Sequence, residues 1–225
     1  AAACSSNCAA RLTPALATFN FARSRGSSFM SGGGGTLTYA AGLAPALAVY
    51  VSLMQTKFVI LSSLPLAASE FGLGNAWTGS TLAMSVAATG AGKLAVGMMV
   101  DRLGVRLAAT SCLFAIATGT AVMAHASRPE VLAAGFAVQS FFISSGWPLM
   151  TKLIAGVVAD DEQGKAFGWA SFASRGGAVV GSTAPAVLQS LGLVQPGQFR
   201  GNLNFSAGFV ALGAVLAYTT FPSKM

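Results

Sequence analysis

The sequence predicts an all-α membrane protein with six transmembrane helices. Three observations carry this. Of the 225 residues, 54% are hydrophobic and only 8% are charged, against roughly 25% charged in soluble domains. The charges fall in short groups between long apolar runs. Six such runs lie near 38–64, 77–99, 107–125, 131–157, 166–190 and 204–221, and each reaches or nears the ~20 residues a helix needs to cross ~30 Å of hydrocarbon. The runs are continuous rather than alternating, so helices follow, because lipid offers backbone polar groups no partner outside the segment.

Residues 1–35 are rich in Ala, Ser and Gly, carry Arg11, Arg23 and Arg25, and contain no acid. This composition fits an organelle transit peptide and fits a disordered cytoplasmic tail equally; Gly32 to Gly35 then reads as a flexible linker into the membrane part, 36–225. The net charge of +7 is a topological signal before it is a sign of nucleic-acid binding, and no basic cluster with interleaved aromatics is present. Arg102, Arg106, Lys165 and Lys224 join the N-terminal arginines on one side, with Arg128 and Arg200 on the other. That excess predicts both termini on the inner, cytoplasmic side, of an organelle envelope or the plasma membrane.

The first run contains Tyr50 and Lys57, seven residues apart and so on one helical face. The second contains Lys93 and ends in a charged knot, Asp101-Arg102-x-Gly104-x-Arg106, which must turn within a few residues. Asp101 near a helix C-terminus opposes the macrodipole, and Arg102 and Arg106 are its expected partners. Gly97 and Gly104 are expected to permit close helix approach and a tight turn. The fourth run contains Lys152 near its inner end, and the fifth contains Arg175 near its middle, followed by Gly177 and Gly181 at a spacing that favours close helix packing.

Cations inside the runs are the informative residues. An ionisable group at the bilayer centre costs at least ~2.5–3.5 kcal/mol, and no Asp or Glu lies at comparable depth to pair with Lys57, Lys93 or Arg175. Such groups imply a water-filled cavity and an anion supplied from outside, so an anionic small molecule is the expected ligand. Tyr50 supplies a hydroxyl beside Lys57. Lys152 is either a further contact or a side chain snorkelling to the interface. Gly92-Lys93 is not a nucleotide loop, because Leu94 replaces the Ser/Thr and Ala87 stands where that loop has its first Gly. Cys4, Cys8 and Cys112 make no disulfide or metal framework, and no catalytic constellation or cofactor motif is visible.

The string Gly97-x-x-x-Asp101-Arg102-x-Gly104-x-Arg106 resembles the loop signature between the second and third helices of the major facilitator superfamily. Several stretches over residues 50–190 resemble one branch, the organophosphate:phosphate antiporters. They are Tyr50-x6-Lys57-x7-Pro65, Ser69-Glu-Phe-Gly-Leu73, Gly92-Lys93, Ser145-Gly-Trp-Pro148 with Lys152, and Trp169 through Gly177. The resemblance implies one half of a major-facilitator-type bundle. It implies phosphate contacts at Lys57 and Lys93, and exchange of phosphorylated metabolites with inorganic phosphate. Two departures loosen the substrate: the family's first-helix Arg is Lys57 here, and its fifth-helix His is Ala173, with Arg175 two residues on. The superfamily carries two six-helix halves with the site between them, so a C-terminal half or a second copy is the expected partner within the bilayer.

These expectations converge on an antiporter of anionic small metabolites working by alternating access. A non-transporting membrane sensor or assembly subunit of the same fold is the alternative. A proton-coupled cation carrier would need an intramembrane carboxylate, and none is visible.

Overall fold

The computed structural model describes residues 35–195 and 198–222. The expected N-terminal tail therefore lies outside the described residues, Gly35 apart. Seven helices are described: α1 (Gly35–Glu70), α2 (Asn75–Leu103), α3 (Val105–Ala124), α4 (Pro129–Ile143), α5 (Gly146–Val157), α6 (Gln163–Ser190) and α7 (Phe199–Thr220).

Four of the six expected runs become helices long and apolar enough to cross a membrane: Leu43–Glu70 within α1, then α2, α3 and α7. The fifth run is α6, 28 residues long but more polar along its length. The fourth run departs from expectation, being divided between α4 and α5 by Ser144 and Ser145. Those two residues hold φ/ψ of −63/−16° and −62/−24°, close to 3₁₀ values, so the run bends rather than folds back. Its cause is Pro148, which has no N–H to give the Ser144 carbonyl one helical turn earlier.

α1 also runs past its expected end, through Pro65 to Glu70. One proline costs one hydrogen bond, and packing on both sides of α1 compensates. The helix stops where Gly72 takes φ +66° and Leu73 N–H closes back on the Ala68 carbonyl.

α1 is the centre of the bundle, packing on α6 along one side and α7 along another, with α4 and α5 also against it. α3 lies against α7 and α4, and α2 against α4. In lipid there is little hydrophobic gain in bringing helices together, so fit decides. The α6 surface against α1 shows this. Its buried residues are Ala166, Ala170, Ala173, Gly177, Gly181, Ala184 and Leu188, three or four apart. A Cβ on Gly177 would stand 2.7 Å from the Met54 Cβ and 2.8 Å from the Val51 carbonyl oxygen. The spacing of Gly177 and Gly181 is thus a helix contact, as the sequence leads one to expect.

The polar side chains buried in the bundle are neutral. Ser52 donates to the Val49 carbonyl at 2.7 Å, and Thr56 donates to the Ser52 carbonyl at 2.9 Å. Ser206 of α7 reaches the Gln55 side-chain oxygen at 3.4 Å. Cys112 is a free, buried thiol in the apolar core.

Candidate functional site

All six acidic residues of the chain stand at or near helix ends or in connections. Glu70 is the last residue of α1, Asp101 lies two before the end of α2, Glu130 is the second of α4, and Asp160 to Glu162 link α5 to α6. The cations are distributed differently, and that difference makes the site.

A cleft of about 330 Å³ opens between α1, α5 and α6. α1 contributes Tyr50, Met54, Lys57 and Phe58, spaced so that all share one helical face. α6 contributes Ser171, Ser174, Arg175 and Ala178, again one face, beside the Ala/Gly stripe that docks on α1. α5 contributes Trp147. Lys57 and Arg175 are exposed to this space while Tyr50 is buried, with its hydroxyl directed at Ser174. None of the lining residues is acidic, and among the described residues neither Lys57 nor Arg175 has a carboxylate partner.

Gly146-Trp147-Pro148 positions the α5 side of this cleft. A Cβ at Gly146 would stand 2.8 Å from the Tyr50 ring, so only glycine lets that ring lie against the start of α5. Trp147 then faces the cleft, braced by Phe167 of α6 with ring centroids 5.9 Å apart. Pro148 makes the bend.

Three of the five expected ligand residues therefore meet in one place: Lys57, Arg175 and Tyr50. The other two stand elsewhere. Lys93 is exposed on α2 and does not line the cleft. Lys152 makes an ion pair with Asp101, joining α5 to the C-terminal end of α2. This corrects the partners expected for Asp101. Arg106 lies with its guanidinium 4.4 Å from the centre of the Tyr218 ring, a cation–π contact that ties α3 to the end of α7. Arg102 is exposed and makes no salt bridge among the described residues. Sequence spacing cannot see Lys152, which is 51 residues from Asp101 and is brought to it by the packing of α5 on α2.

The glycines of the knot divide likewise. Gly104 is the single residue between α2 and α3 and takes φ +78°, ψ 164°, a conformation open essentially to glycine alone. Gly97 faces open space, so it is not the point of close approach. That point is Gly92, where a Cβ would collide with the Phe141 carbonyl oxygen and stand 2.5 Å from the Ser144 hydroxyl.

The profile of the Major Facilitator Superfamily matches residues 46–224. The chain belongs to the Major Facilitator Superfamily. No curated protein matches it closely enough to count as a relative. Membership in the Major Facilitator Superfamily makes the chain an integral membrane protein of a transporter family, a class whose members generally move solutes rather than transform them. Three lining residues that sequence reasoning did not single out are Trp147, Ser171 and Ser174. The signal for the two serines is present: Ser171, Ser174, Arg175 and Ala178 stand at i, i+3, i+4 and i+7 on a helix whose other face is Ala and Gly.

Proposed function

We propose that the protein is a secondary antiporter of anionic small metabolites, phosphorylated or otherwise, with inorganic phosphate as an exchange partner. The observation that carries this reading is the joint presence of Lys57 and Arg175 in one cleft whose lining has no acid. Six spans serve as the scaffold, with α4 and α5 counted as one bent span and both termini inside. The open side of the cleft is closed by a second six-helix bundle, another half or another copy, which agrees with the resemblance to the organophosphate:phosphate branch.

The mechanism follows from charge. Two cations brought together in a closed, low-dielectric cavity repel strongly. An empty cleft therefore resists closing. An anion seated between Lys57 and Arg175 neutralises them, with Tyr50, Ser171 and Ser174 as donors, and the loaded protein reorients. Net movement without a returning anion is disfavoured, which makes exchange obligatory. Lys93 would meet the anion only in another conformation, and Lys152 acts through Asp101 instead.

The test is counterflow. Proteoliposomes holding the full-length protein and loaded with phosphate should take up labelled phosphate or sugar phosphate, and unloaded vesicles should not. Lys57→Ala and Arg175→Ala should abolish uptake at normal expression. Binding of these anions without any exchange would replace the carrier reading with a sensor of the same fold.

A further inference from the structure

The cleft is larger than a bare oxyanion fills, and part of its lining is apolar. At about 330 Å³ it falls in the range of sites that enclose whole organic ligands, whereas each water in the liquid occupies only about 30 Å³. Its lining is divided. The polar part holds the two cations and three hydroxyls; the apolar part holds Met54, Phe58, Trp147 and Ala178. An inorganic anion would satisfy the first and leave the second against water.

Trp147 is the most telling of these. It is 47% exposed, and it lines the cleft. Both chain neighbours fix it, Gly146 by admitting the Tyr50 ring and Pro148 by setting the bend. Phe167 packs behind it at 5.9 Å and 38°. A rigid, braced, half-bare indole is a stacking surface. Met54 and Phe58 add a thioether and a second ring on the α1 side.

We propose that the ligand is an anion carrying a planar apolar ring, such as an aryl phosphate or an aromatic carboxylate. Its charged group meets Lys57 and Arg175, and its ring lies on Trp147. Trp147 is then the specificity-determining residue. This rests on the anion reading above, and the experiment separates the two.

The protein in nanodiscs, with Trp77→Phe and Trp169→Phe so that Trp147 alone of the chain's three tryptophans reports, is titrated with two pairs of probes. The pairs are phenyl phosphate against methyl phosphate, and benzoate against acetate. In at least one pair the ring member should bind ten-fold or more tighter and quench the tryptophan emission. With binding read by titration calorimetry in the Trp147 variants, which have lost the reporter, Trp147→Phe should keep most of that preference and the wild-type melting temperature. Trp147→Ala should erase it, and Lys57→Ala should weaken ring and non-ring members alike. Equal binding within both pairs, still lost in Lys57→Ala, overturns the ring and leaves the anion site standing. Binding of none of the four overturns both.

Discussion

Gly181 of α6 lies so close to α1 that a Cβ there would collide with the Gln55 carbonyl oxygen. Backbone meets backbone at this point, and nothing flexible is available to yield. Gly181→Val should therefore destabilise the bundle by about 1–3 kcal/mol, the usual cost of overpacking. Gly168→Ala on the same helix, which meets open space, should leave stability unchanged or raise it slightly, since alanine is the better helix former. Thermal melts in one detergent would compare them, and equal losses would show that the contact is not what holds α6 to α1.

Gly104→Ala tests the joint between α2 and α3. A side chain at φ +78° and ψ 164° costs on the order of 1–3 kcal/mol, so a fall in melting temperature is expected. Gly97→Ala, facing open space, should melt with the wild type.

The Lys152–Asp101 pair is partly open to solvent, with side-chain exposures of 36% and 71%, so its contribution to stability is no more than about 1 kcal/mol. On the proposed carrier reading, its effect is expected in transport. Asp101→Asn, Lys152→Gln and the double variant should lose uptake to a similar degree, because each breaks the same link. Exchanging the two residues should restore part of it. Additive losses would mean that the two side chains act separately.

Arg200 fastens the start of α7 to the ends of α1 and α3. Its Nη2 and Nε donate to Glu70 of α1 at 3.0 and 3.2 Å, and its Nη1 donates to the Ala124 carbonyl of α3 at 3.2 Å. Arg200→Ala removes both attachments; because Arg200 and Glu70 are 38% and 40% exposed, water answers part of the loss, which should be about 1 kcal/mol. Arg200→Lys keeps the charge without the fork and should recover only part. Limited proteolysis of the 71–74 connection would follow the loosening.

The core of the fold is legible in sequence because lipid allows few solutions. Long apolar runs must be helices, and Gly177 with Gly181 must face a neighbour. Tyr50 and Lys57 share a cleft because seven residues return a helix to the same face. What the sequence hides is pairing across helices. Lys152 carries the same charge as Lys57 and also lies in an apolar run, yet it meets an acid from α2 while Lys57 meets none among the described residues. Gly97 carries the expected spacing, but Gly92, five residues earlier, makes the contact. Pro148 foretells a bend, but only the packing of Tyr50 on Gly146 shows why Trp147 faces the cleft.

One residue, Gly104, connects α2 to α3, and this confines their relative motion to a single pivot. On one side of it Asp101 reaches α5 through Lys152, and on the other Arg106 rests over Tyr218. Any tipping of α2 about that pivot tugs on the first attachment while α3 stays moored to α7 through the second. The joint is a place where the protein would feel its own tilt.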